Sequence, residues 1–128
     1  MTRFYLDTSA AAKLLVEEPE STALAAWTDA EDVDLVSTHL LETELRRLAH
    51  RLGLPQADVS EILLRVARYD LPASLYTEAG LLVGAGLRSL DALHLAAAIR
   101  LDVVGLVAYD VRLTRAARDL GIAVVAPS

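Results

Sequence analysis

The chain has 128 residues, a net charge of −6, no cysteine and 54% hydrophobic residues, with a mean hydropathy of +0.37. This length suits one domain over 1–128 around one core, and the missing cysteines exclude disulfides, thiolate chemistry and Cys-based zinc sites, leaving oxygen or imidazole as metal ligands. The acidic balance argues against a wholly basic nucleic-acid surface, though not against a local basic groove; no apolar run approaches the roughly 18 residues that span a bilayer, and without a signal-peptide pattern the expected location is cytoplasmic.

Residues 3–6 read as a short buried strand, after which Asp7-Thr8-Ser9 opens an alanine- and leucine-rich helix to about Val16. Pro19 breaks it, a second helix follows over 20–30, and 34–38 reads as a strand. The spacing predicts an amphipathic helix over 40–52, stopped by Gly53, with Pro55 placed to start another that continues to about Ala67. A short strand over 69–71 precedes a helix over 74–87 weakened by Gly80, Gly84 and Gly86. Ser89 caps a helix to about Arg100, and 105–109 is an apolar strand ending at Asp110. A basic helix then runs to Leu120 with Gly121 as its C-cap, before a last strand over 122–126. Strands alternate with helices throughout, so the expected fold is α/β, with three α/β/α layers around a mainly parallel sheet.

Asp7 and Asp110 each follow a predicted strand, which puts both at the carboxyl edge where open α/β sheets bind ligands. Each also suits a helix N-cap, the common use of aspartate after a strand. Asp91 stands in the first turn of its helix, where an acid complements the helix dipole. Glu44 lies on the margin of the apolar stripe Leu41, Leu45, Leu48 and Leu52, whereas Glu42 points outward and is spaced to pair with Arg46. An acid turned toward the core ordinarily has an arginine partner. Taken together, the four acids suggest one pocket: crowded carboxylates repel and persist mainly when cations neutralise them. Oxygen-only ligands suit Mg²⁺ or Mn²⁺ completed by water, and phosphodiester hydrolysis is the chemistry such ions serve.

The segments Asp7-Thr8-Ser9-Ala10, Glu44-Leu45, Asp91-Ala92-Leu93-His94-Leu95-Ala96 and Tyr109-Asp110-Val111-Arg112-Leu113, followed by Ala117 and Gly121, resemble the successive motifs of PIN domains, most closely the VapC-like toxin branch of bacterial toxin–antitoxin systems. The resemblance covers nearly the whole chain and implies an endoribonuclease dependent on Mg²⁺ or Mn²⁺. It would use Asp7, Glu44, Asp91 and Asp110 as its acidic set. Asp7, Asp91 and Asp110 would be the direct ligands, with Glu44 acting through a water or positioning the nucleophile. Thr8 or Ser9 would place a supporting hydroxyl near the centre, or cap the helix. Where the family often carries Thr or Ser, two places before the last aspartate, this chain has Ala108.

His94 reads as a hydrogen-bonded core residue rather than a ligand, and His39 and His50 have no metal-binding spacing. Arg112 and Arg115 share a helical face beside Asp110 and are candidates to grip RNA phosphates, as are Arg46, Arg47 and Arg51 along the groove. The resemblance also implies a homodimer and a small antitoxin lying across the first helices and the third, with a basic side chain sent toward the carboxylates. DNA binding would belong to that antitoxin, and the apolar excess agrees with both partners. Other classes fit poorly: a receiver domain needs paired acids after its first strand and a late lysine, where only Lys13 exists, and a haloacid-dehalogenase phosphatase needs an acid where Ser9 stands. The alternative that survives is a PIN-like fold that binds RNA or protein without cutting.

Overall fold

In a computed structural model, which describes residues 2–84 and 86–128, five strands form one parallel sheet. They are β1 (Thr2–Leu6), β2 (Val33–Thr38), β3 (Val66–Tyr69), β4 (Gly105–Val107) and β5 (Val124–Val125), in the order β3-β2-β1-β4-β5. The helices are α1 (Thr8–Leu15), α2 (Ser21–Thr28), α3 (His39–Leu52), α4 (Gln56–Leu63), α5 (Ala73–Gly80), α6 (Ser89–Arg100) and α7 (Val111–Asp119). Side chains alternate across a strand, so both faces of a parallel sheet need apolar residues. Tyr5, Val36 and Leu106 enter a core with Leu75, Leu95 and Leu113 from α5, α6 and α7. Their neighbours Leu6, Leu35 and Val107 enter a second core with Leu24, Leu41, Leu45 and Val59 from α2, α3 and α4. Three layers result. Among the described residues, no helix is long and apolar enough to cross a membrane.

The chain starts in the middle of the sheet and builds toward one edge through β2 and β3, then returns to the other side of β1 for β4. The order therefore reverses between β1 and β4, the crevice where such sheets take ligands at their carboxyl ends. The register Leu6↔Val107 places the exits of these two strands side by side, and the Asp7 amide extends the pairing to the Val107 carbonyl at 3.0 Å.

Several boundaries differ from the sequence expectation. α4 ends at Leu63 and 66–69 is a strand, so β3 starts three residues earlier than expected and Ala67 lies inside it, beside Val36. α5 stops at Gly80 rather than continuing to 87; the expected span includes Ala85, which lies outside the described residues, as does Met1. Ser89 is the first helical residue of α6, with Arg88 at the N-cap position and no side-chain cap. Leu52 is 53% exposed, and Ala49 takes its place on the buried stripe of α3. Gly53, at φ 67°, gives α3 the left-handed cap expected of it.

Candidate active site

Asp7 occupies the turn from β1 into α1, where its Oδ2 accepts the Ser9 amide at 3.0 Å and the Ser9 hydroxyl at 2.6 Å. Asp110 enters α7 in the same manner, its Oδ1 accepting the Leu113 amide at 3.0 Å. Both are N-caps, and the capping geometry holds the two carboxylates at the switch point rather than competing with a site there. Ser9 links them. While its hydroxyl donates to Asp7, its oxygen accepts the amides of Tyr109 at 2.9 Å and Asp110 at 3.3 Å, which uses one donor and two acceptor positions. Ala108 is fully buried in the apolar core, so the support expected from a hydroxyl there is absent and the loop amides rely on Ser9.

Glu44 projects from α3, beside the buried Leu41 and Leu45. Its partner is not an arginine. Oε1 accepts the Thr8 hydroxyl at 2.8 Å and lies 2.5 Å from His94 Nε2. His94, 1% exposed on α6, meets the Tyr5 hydroxyl with Nδ1 at 2.6 Å, as a hydrogen-bonded core histidine should. It is also 4.0 Å from Asp7 Oδ1. Burial works against charge on His94, yet the Glu44 hydrogen bond and the charges of Asp7, Glu44 and Asp91 outweigh it and raise its pKa. Burial alone would raise Glu44; the hydrogen bonds and charge from His94, with the Thr8 bond, bring it below the ordinary carboxylate value.

Asp91, in the first turn of α6, is raised above its ordinary value, first by burial and then by the negative charges of Asp110, Asp7 and Glu44, with His94 opposing. The negative charges acting on Asp91 thus come from three other parts of the chain. A cleft of about 520 Å³ is lined by Glu44, Asp91, Asp110, Arg88, Leu90, Val111 and Arg112; Asp7, 3% exposed, is outside that lining.

Arg112 therefore borders the acids, whereas Arg115 is not among the residues lining the cleft. Arg88 was missed by the sequence reading, although its place directly before Ser89-Leu90-Asp91 could have marked it. Arg46, Arg65, Arg68 and Arg100 are each tied to a carboxylate, and Arg46 is held by Glu42, Gln56 and Ser60 away from the groove. Among the described residues no ion pair engages Arg88 or Arg112. Arg47 and Arg51 lie outside the cleft lining, and His39 faces Asp70.

Among the described residues no three Asp, Glu or His side chains are arranged to chelate an ion by themselves. The donor chemistry nevertheless suits a hard cation. The acids there supply carboxylate oxygens, and a cation beside Asp91 would offset the repulsion that helps to raise its pKa. Mg²⁺ keeps several of its waters and is often held by one or two carboxylates, so a spaced oxygen set fits it better than a closed cage.

Comparison with known proteins gives a consistent family. The PIN domain family matches residues 4–119. Ribonuclease VapC35 of Mycobacterium tuberculosis is 41% identical over 131 residues, covering 96% of each chain. Among solved structures, VapBC2 from Rickettsia felis, bound to a DNA fragment from their promoter, superposes with a TM-score of 0.76 at 15% identity, over 99% of this chain and 100% of that one. Mycobacterium tuberculosis VapC20, a sarcin-ricin loop cleaving toxin, gives 0.72 at 20% identity, over 88% and 94%.

Proposed function

The chain belongs to the PIN domain family, and from that premise we propose that it is an endoribonuclease of the VapC type, the RNA-cleaving toxin of a toxin–antitoxin pair, formed as one catalytic unit over 1–128. The observation that carries this reading is the cleft that Glu44, Asp91 and Asp110 line together at the switch in strand order, with Asp7 4.0 Å from the His94 nitrogen that bonds Glu44.

In this reading Asp7, Asp91 and Asp110 would hold Mg²⁺ or Mn²⁺. A bound ion would polarise the phosphoryl group, lower the pKa of water and stabilise the departing oxygen. The chain's own residues do the rest. Glu44, ionised and fixed by Thr8 and His94, accepts a proton from the attacking water. Ser9 keeps Asp7 and Asp110 at a constant separation by bridging their loops. Arg112 and Arg88 neutralise the flanking phosphates that an acidic cleft would otherwise repel.

The partners belong to the same proposal. A groove of about 330 Å³ beside α1, α2 and α4, apolar at Leu14, Leu15, Ala25 and Ile62 and charged at Asp58, Glu61 and Arg65, suits an amphipathic antitoxin helix. Exposed Tyr76, Leu81, Val83 and Leu90 suit a homodimer contact, and DNA contact falls to the antitoxin.

The test is cleavage of RNA by purified protein with Mg²⁺ or Mn²⁺, before and after chelation, beside Asp7→Asn and Asp91→Asn. Chelation and both substitutions abolish cleavage in this reading; equal cleavage by the substituted proteins discards the site. The alternative is a PIN-like fold that binds RNA or protein without cutting, and a wild-type protein that binds RNA but never cuts it would establish that instead.

A further inference from the structure

Glu44 is held unevenly. The Thr8 hydroxyl and His94 Nε2 both converge on Oε1, while among the described residues no protein donor bonds Oε2. An ionised carboxylate only accepts, so Nε2 carries the proton of the His94 bond. In a neutral imidazole Nδ1 must then accept, which makes the buried Tyr5 hydroxyl, 2.6 Å away, its donor. The Tyr5 oxygen lies 3.3 Å from Thr38 Oγ1, whose hydroxyl completes the chain. The Tyr5 and His94 rings also pack edge to face with centroids 5.6 Å apart, so the imidazole is fixed by packing as well as by bonding. A second proton on the ring would reverse the Tyr5 bond but leave Nε2–H aimed at Glu44. The contact is therefore independent of the ring's charge.

We propose that His94 is a positioning residue for the cleavage reaction: oriented by Tyr5, it joins Thr8 in clamping Oε1 of Glu44, which leaves Oε2 free to receive the proton of the attacking water. The role rests on the ribonuclease reading of Glu44. It also accounts for a polar side chain buried amid leucines and alanines on α6.

The test must separate this role from core packing. His94→Gln sets an amide N–H where Nε2 stood, whereas His94→Leu fills the space without a donor. With an RNA oligonucleotide and Mn²⁺, His94→Leu should lower kcat by about tenfold or more with KM within about twofold, a loss in the range of removing an oriented outer-shell partner. His94→Gln should recover most of it. Adding His94→Leu to Glu44→Gln should slow cleavage no further, because both changes remove one oriented carboxylate.

A second readout needs neither metal nor RNA. The ¹⁵N-imidazole spectrum of wild-type protein should show a protonated Nε2 whose resonance moves in Glu44→Gln, and it decides the matter even if His94→Leu does not fold. An unprotonated Nε2, multiplying losses in the double variant, or a folded His94→Leu with wild-type kcat would each overturn the proposal. If Glu44→Gln cleaved as fast as wild type, the catalytic assignment of Glu44 would itself fall, and that outcome is distinct from the others.

Discussion

Asp91 is half-buried within reach of three other negative charges, and its raised pKa fixes the sign of its effect on folding. A carboxyl group that holds its proton more tightly in the folded chain than in the unfolded one opposes folding increasingly as pH rises through the carboxylate range. At neutral pH without metal the penalty is fully present. Asp91→Asn should therefore raise the Tm of chelator-treated protein by roughly 2–4 °C while lowering cleavage on the order of 100-fold or more; a lower Tm in the variant would show that the acids do not repel as argued. The arginines divide by position. Arg88→Ala and Arg112→Ala should each lower kcat/KM about tenfold, the worth of one charge-assisted hydrogen bond, whereas Arg115→Ala stays near wild type, as steady-state cleavage would report. In the sequence the four acids stood out as a set rather than singly: an aspartate at a helix start is ordinary, only Glu44 at a stripe margin called for a reason, and the motif resemblance grouped them. The partners of Glu44 were not legible, since Thr8 and His94 reach it only through tertiary contacts 36 and 50 residues away in sequence.

Elements were legible where a local signal ended them. Gly53 with its positive φ closes α3, and Asp7 and Asp110 open α1 and α7, all of which are one-residue decisions. Boundaries failed where pairing partners decided them. Val66-Ala67-Arg68-Tyr69 continues a helical apolar pattern, but its amides and carbonyls are taken by β2, with Leu35 opposite Val66. The same region carries an exposed charge network in which Glu42 of α3 holds Arg46 and Arg68, and Arg46 reaches Gln56 and Ser60 at α4. The hydrogen bond from Arg46 holds Glu42 below its ordinary pKa against a small opposing effect of burial, with the charges of Arg46 and Arg68 assisting. A depressed carboxyl stabilises above its unfolded pKa and loses that contribution as pH falls through the folded value. Solvent screening limits this exposed network to at most about 1 kcal/mol. Glu42→Gln should melt slightly below wild type at pH 7, with the gap closing below about pH 4; thermal melts across that range decide it, and a gap that persists in acid would assign the difference to packing.

At the scale of the whole molecule, the reading of three layers and a parallel sheet followed from the alternation of strands and helices. The order β3-β2-β1-β4-β5 did not, because nothing local tells a strand which neighbour it will have. Yet the proposed site depends on that order: the strand exits that carry residues 7 and 110 are neighbours only because β4 returns to the side of β1 that β2 leaves open. The acidic centre is thus assembled by the native state alone, and the unfolded chain holds its carboxylates too far apart to act together. A ligand that binds only the folded form stabilises it by RT ln(1 + [L]/Kd), or about 2.7 kcal/mol at a hundredfold excess over Kd. Mn²⁺ should therefore raise the wild-type Tm progressively with concentration, by about 5–10 °C at such an excess in a domain of this size. The increment should be largely absent from Asp7→Asn and unaffected by Arg115→Ala. Differential scanning calorimetry in matched ionic strength separates this from general screening of the −6 charge, since Mn²⁺-free NaCl of equal ionic strength would shift all three proteins alike. Equal Mn²⁺ shifts in wild type and Asp7→Asn would mean that the carboxylates gathered by the fold do not form a cation site.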